Sequence, residues 1–280
     1  MLVGVDWSLM NAPLMTRGVR ARGPLPQVRI AESVAAELRK RILTAREGSV
    51  LPKQDEIVAE FGVSYPSVRE ALRILETEGL ITVRRGNMGG ADIHRPDPGS
   101  AAYALGLALQ ASQVRLADLA EGLLCVEPLC AALCAQRADR KQAVVALLRA
   151  NIAASKAAID DGLLFTHTAR QFHDLIVTST GNKTLGLVVH SLVALWTSQE
   201  EAWAESLSST GTYFTVRERK AVVSTHQVIA DRIEQGDAAG AQKAAEKHIA
   251  QTQKLFLTRF NDEVVDAASA RNRRNFGPMR

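Results

Sequence analysis

The chain has 280 residues, 46% of them hydrophobic and 23% charged, and a formal net charge of +4. That length accommodates one large or two ordinary domains, and the composition excludes a disordered or collagen-like chain. The mild basic excess fits an anionic partner without naming one. Residues 1–97 hold 14 Lys/Arg against 12 Asp/Glu, so a phosphate-binding surface there must come from placement rather than bulk charge.

The first 25 residues, with Pro13 and Pro24, carry no continuous apolar stretch of a signal peptide and read as a disordered arm. No later run approaches the ~20 apolar residues that span a bilayer, so no membrane partner is expected. The cysteines, Cys125, Cys130 and Cys134, are odd in number and share one helical stretch. They argue for a reducing compartment, the cytoplasm, rather than a disulfide framework. Cys130 and Cys134, four apart, read as buried packing residues.

From 26 to 94 the chain alternates helical patterns with turn signals. Ile30, Val34, Leu38 and Ile42 repeat every four residues and predict one apolar stripe on a helix over Ile30–Leu43. Gly48–Pro52 reads as a break. A short helix over Gln54–Phe61 turns Ile57, Val58 and Phe61 inward and ends at Gly62. Ser64 then takes an N-cap position, with Pro66 and Ser67 in the first turn of a helix whose stripe is Val68, Ala71, Leu72 and Leu75. Gly79 ends it, and Leu80–Val83 and Ala91–His94 form a hairpin around Arg84-Arg85-Gly86-Asn87.

Helix, helix, tight turn, helix and hairpin is the order of a winged helix-turn-helix. The helix starting after Ser64 directs N–H groups towards a phosphate, small hydroxyls allow close approach, and Arg69 reaches a base edge or phosphate one turn further on. Arg84, Arg85 and Gly86 at the wing suit backbone or minor-groove contact. The candidate DNA contacts are therefore Lys53, Asp55, Ser64, Tyr65, Pro66, Ser67, Arg69, Arg84, Arg85 and Gly86. The competing reading is a protein-binding winged helix with ordinary surface charge.

The stretch Leu51-Pro52-Lys53-Gln54-Asp55-Glu56, then Phe61-Gly62-Val63-Ser64-Tyr65-Pro66-Ser67-Val68-Arg69-Glu70-Ala71-Leu72, then Glu78-Gly79-Leu80, resembles the signature of GntR-family transcription regulators. The family usually places Arg where Tyr65 stands and often where Asp55 stands, and both read guanines. Tyr65 lacks the bidentate fork of Arg, and Asp55 accepts from cytosine or repels phosphate. The resemblance thus implies operator DNA as partner, with an altered specificity.

Arg95–Ser100 reads as a linker, because its prolines and glycine interrupt regular structure. Residues 101–265 form a mainly helical domain rich in Ala and Leu, and 266–280 a basic tail around Arg271-Asn272-Arg273-Arg274. A helix from Val216 stops at Gly236-Asp237, and another runs from Ala238 to about Phe256, making a hairpin. His226 and His248 each lie about 11 residues from that turn, so at ~1.5 Å per residue they are level, ~16 Å from it. Two level histidines inside a bundle are the start of a metal site, and a third histidine, His173, follows Phe172 on another apolar helix.

The order Glu121, Glu127-Pro128, Phe172-His173, Gly181-Asn182, His226-Gln227-Val228-Ile229, Gly236-Asp237, Ala241 and His248-Ile249 resembles the FCD domain, the all-helical effector domain of the FadR branch. The resemblance implies a divalent ion held by three histidines and an Asp one turn before the first. Ala169 stands at that Asp position, and His167 is out of helical register. Three imidazoles still hold Zn²⁺ or Ni²⁺ with an open position, and the alternative is a set of hydrogen-bonded core histidines. Members that bind carboxylic acids commonly place Arg two residues after the Glu matching Glu121. Leu123 stands there, which points to an apolar or acyl-type effector beside Leu123, Glu127 and Asn182.

The expected protein is mainly α, a winged helix-turn-helix followed by an all-helical bundle. It is a homodimeric, effector-controlled repressor that binds operator DNA, not an enzyme. The competing class, a metal-dependent hydrolase, lacks a general base beside the histidines.

Overall fold

The computed structural model describes residues 26–46, 48–84, 90–208, 214–260 and 262–268. The arm 1–25, Arg85, Gly86 and Asn87 of the predicted hairpin turn, and the tail from 269 lie outside the described residues. The chain divides between Pro96 and Asp97 into two compact units, each with its own apolar core.

In the first unit α1 spans Pro26–Thr44, α2 Gln54–Phe61 and α3 Tyr65–Thr77. Val34, Leu38 and Ile42 of the predicted stripe are buried, but Ile30 is 42% exposed because it lies at the rim of a surface cavity lined by Arg29, Ser33, Phe61 and Val63. Lys53 N–H donates to Glu56 at 2.9 Å, satisfying one free donor at the start of α2. Gly62, at φ 62°, ends α2 in the left-handed region, and its N–H donates to the Val58 carbonyl. Val68, Ala71, Leu72 and Leu75 of α3 pack with Val34, Leu38 and Ile42 of α1 in one core. Arg39 donates from two nitrogens to Glu78 at 2.5 and 2.8 Å, tying α1 to the end of α3.

The wing is a three-stranded antiparallel sheet in the order β1–β3–β2, with β1 Val50–Leu51, β2 Ile81–Val83 and β3 Ala91–Ile93. The hairpin is as predicted. The break predicted over Gly48–Pro52 is corrected: Val50 and Leu51 pair with Asp92 and Ala91. A two-residue strand is too short to show alternation in sequence. Gly90 permits this close approach: its φ is 79°, and a Cβ there would clash with the Leu51 carbonyl oxygen at 2.7 Å. Gly90→Ala is expected to cost about 1–3 kcal/mol and to lower the urea midpoint of this unit; an unchanged midpoint would contradict the role of that approach.

In the second unit α4 spans Pro98–Ala111, α5 Leu116–Gln136, α6 Ala146–Ala157, α7 Gly162–Thr178, α8 Lys183–Ser208, α9 Val216–Gln235 and α10 Ala238–Phe260. The predicted linker 95–100 is shortened, because Pro98, Gly99 and Ser100 form the first turn of α4. Asp97 caps that turn, accepting from Ser100 N–H at 2.7 Å, and Pro98 fills a position that needs no N–H. Asp161 caps α7 through Leu163 and Leu164 N–H, and Thr215 caps α9. The hairpin of α9 and α10 turns at Gly236, φ 75°, as the sequence predicts.

α5 packs along α10 and α7 along α8, around a core that includes Leu116, Leu123, Leu148, Phe165, Phe172, Leu195, Ile229 and Ile233. The tail boundary at 266 is also corrected. Val264 bridges back to Arg115, Val265 and Ala267 are buried, and Asp266 exchanges two hydrogen bonds with Gln199, 2.8 and 3.2 Å long. Gly106 lets this segment in, since a Cβ there would lie 3.2 Å from Ala267 Cβ.

Candidate nucleic-acid interface and buried histidine centre

Burial of one face of α3 fixes which residues it shows to solvent: Tyr65, Pro66, Arg69, Glu70, Arg73, Glu76 and Thr77. Arg73 pairs with Glu70 at 3.2 Å. Arg69 has no carboxylate within ion-pair distance among the described residues, so its full charge and all its donors are available. Lys53, at the start of α2, is exposed as well.

Several predicted contacts are otherwise engaged. Ser67 is 1% exposed and its hydroxyl lies 3.0 Å from that of Ser64, so it serves the packing of α3 rather than a DNA surface. Its N–H donates to the Ser64 carbonyl and Pro66 has none, which leaves fewer free donors at this helix start than the pattern promised. Arg84 forks onto Asp92 across the wing at 2.5–3.1 Å, so its guanidinium is held by a carboxylate. That partner sits on β3, beyond any local sequence signal. Tyr65 and Asp55, the two departures from the family pattern, face each other: the nearby Asp55 charge and a hydrogen bond to it raise the Tyr65 phenol above its usual pKa. Gln54 adds a bond from Nε2 to the Tyr65 carbonyl at 3.3 Å.

In the second unit His173 of α7, His226 of α9 and His248 of α10 converge in the core, all at most 3% exposed. Their Nε2 atoms meet: His226 and His248 at 3.0 Å, His248 and His173 at 3.3 Å. The Phe172 ring stacks on His226 with centroids 3.9 Å apart. His226 Nδ1 has no hydrogen-bond partner among the described residues.

Partners behind two of the rings decide their tautomers. Glu127 on α5 accepts from His173 Nδ1–H. Thr225 spends its one proton on the Val222 or Ala221 carbonyl, so its oxygen accepts from His248 Nδ1–H at 2.9 Å. With only Nδ1 protonated, both rings would turn Nε2 lone pairs towards each other. Burial, and secondarily the neighbouring histidines, push His248 and His226 well below the usual imidazole range, which keeps them neutral donors.

Arg170, one residue after Ala169, pairs through Nε with buried Glu200 at 2.7 Å, and its charge reaches His226 and His248. Burial pushes the Glu200 carboxyl up despite Arg170. Arg170 lies three residues before His173, a spacing that the sequence already displayed.

The remaining predicted residues separate. Leu123 is packed in the core at 1% exposure. Glu127 is His173's partner. Asn182 is exposed at the start of α8, where its Oδ1 accepts from Leu185 N–H at 3.0 Å and caps the helix. His167 pairs with Glu201, outside the centre. Burial raises the Cys130 and Cys134 thiols to about 12, so both are inert.

Residues 30–88 match the model described as bacterial regulatory proteins, gntR family, and residues 118–251 match the FCD domain. The chain is similar to the HTH-type transcriptional repressor NanR of Edwardsiella tarda (strain FL6-60), with 29% identity over 196 residues, 68% of this chain and 74% of that one. It is similar to NanR of Salmonella arizonae too, with 27% identity over 250 residues, 87% and 90% of the two chains. The solved structure of Streptococcus agalactiae GntR shares the fold at a TM-score of 0.61 and 21% identity, over 80% of this chain and 99% of that one.

A winged helix offering an unpaired arginine, followed by a helical domain with a buried polar centre, defines a DNA-binding regulator controlled by an effector. The chain belongs to the GntR family of bacterial transcription regulators, in the branch whose second domain is FCD. No helix among the described residues is long and apolar enough to cross a membrane.

The histidines make the second unit sensitive to pH. Unfolded imidazoles take up protons near 6.5, whereas His226 and His248 in the fold resist them to much lower pH. Their contribution is therefore full above about 6.5 and is lost as pH falls below it. In metal-free buffer, the Tm of the parent is expected to fall more steeply from about pH 7 to 5.5 than that of His226→Gln. Glu200 is common to both proteins and drops out of the comparison. Parallel slopes would contradict the buried neutral state.

Proposed function

We propose that the protein is a repressor that binds a two-fold symmetric operator as a homodimer and releases it when a small molecule enters the FCD domain. The observation that carries the DNA reading is Arg69, exposed and unpaired on a helix whose other face is locked in the core. Both NanR relatives are repressors by name, which supports that mode. Two-fold protein symmetry matches a pseudo-palindromic site, and only an effector with unequal affinity for two arrangements of the reading heads shifts binding. Lys53, Tyr65 and Asp55 border Arg69's helix and are assigned to the same interface.

We further assign His173, His226 and His248 as ligands of one divalent ion, Zn²⁺ or Ni²⁺. The donor set fits. Two Nε2 atoms 3.3 Å apart need a proton or a metal ion between their lone pairs, and tetrahedral ligands at ~2.1 Å from zinc stand about 3.4 Å from one another. When bound, such an ion would offer a Lewis-acidic position to an oxygen of the effector. Around it, the chain's own residues fix the tautomers, exclude water through Phe172, and bring Arg170 and Glu200 near. Leu123 belongs to the core whatever the effector's chemistry, which leaves an apolar or acyl-type ligand as a proposal to be screened.

On genomic fragments recovered with the parent, Arg69→Ala is expected to weaken specific binding at least ~10-fold, the cost of about one good base contact. Unchanged binding would remove α3 as the reader. Elemental analysis of the purified parent is expected to find about one ion per chain, absent in His226→Ala; a metal-free parent would remove the ion assignment.

A further inference from the structure

The centre has an imbalance of charge. An imidazole that ligates an ion brings no negative charge, and Ala169 contributes no carboxylate from the turn before His173. Arg170, close by, adds positive charge that its pairing with Glu200 offsets. A divalent cation buried here needs negative charge near it, because an uncompensated buried ion is costly.

Glu127 is placed to supply that charge. It is 5% exposed on α5, and its Oε1 accepts from Nδ1–H of His173, itself 3% exposed on α7. A carboxylate behind a ligating imidazole makes the opposite nitrogen more basic and holds the ring in one tautomer. His248 has only the Thr225 hydroxyl behind it, and His226 has nothing. Of the three rings, His173 alone has a carboxylate behind it among the described residues.

We propose that Glu127 is the carboxylate of this centre, acting on the ion through His173 in place of a direct acidic ligand at position 169. Glu127 is thus a positioning residue, and the proposal rests on the ion assignment made above.

The test uses Glu127→Gln, which keeps the shape and an acceptor oxygen but removes the charge. Ala169 precedes His173 by four residues, so an Asp there emerges on the same helix face. Zinc and nickel dissociation constants are measured on the full chain by competition with a chromophoric chelator for the parent, Glu127→Gln, and Glu127→Gln combined with Ala169→Asp. Circular dichroism of each checks that it is folded. Affinity is expected to fall 10–100-fold in Glu127→Gln, the usual effect of losing such a partner, and to recover in the double variant. Parent-like affinity in Glu127→Gln overturns the proposal while leaving the ion assignment intact. A loss that Ala169→Asp does not restore, in a folded double variant, overturns the charge role. No uptake by the parent overturns the ion assignment and the proposal with it.

Discussion

The packing of α3 against α1 is the constraint on which the DNA-binding half depends. Val68, Ala71, Leu72 and Leu75 enter one core with Val34, Leu38 and Ile42, and a helix with one face so committed has no freedom to rotate. Truncating such a residue costs on the order of 2–5 kcal/mol, a large part of a domain's stability. The same burial aims Arg69 outward and Ser67 inward. Reading DNA is in this sense a by-product of core packing: the exposed face carries chemistry because the hidden face carries the energy.

The helical half repeats that logic with the faces exchanged. Three helices send their chemistry inward, where burial holds His226 and His248 neutral and hydrogen bonds from behind set the tautomers of His173 and His248. A dry polar centre of this kind is costly unless each group is satisfied. The converging Nε2 atoms and the unpartnered His226 Nδ1 leave that cost partly unmet among the described residues, which is the physical ground for the ion proposed there. In the proposed scheme a ligand bound there would act on the reading heads only if it distinguished their arrangements.

Legibility in the sequence followed the range of the interaction. Helical periodicity and the Gly236 turn located His226 and His248 level with each other, because both signals are local. Gly62, Ser64 and Pro66 located α3 for the same reason. What stayed hidden was contact between distant segments: Arg84 with Asp92 across a hairpin, Arg39 with Glu78, Glu127 with His173. β1 was missed because two residues have no period, and Pro98–Ser100 read as linker because proline at a helix start resembles proline in a loop. Tyr65 and Asp55 were each weighed alone against the family's arginines, although the structure sets them against each other.

That Tyr65–Asp55 neighbourhood changes what α3 presents. Acceptor groups stand where the family shows guanidinium forks, while Arg69 keeps its donors, so the base pattern selected should differ from the usual family site. Selection from a pool of randomised duplexes measures this reading most directly, since it assumes neither operator nor effector. Enrichment of two half-sites related by two-fold symmetry and spaced by about one or more helical turns is the outcome expected of a homodimeric reader. Recovery of no enriched sequence at moderate salt, from folded protein, would contradict it.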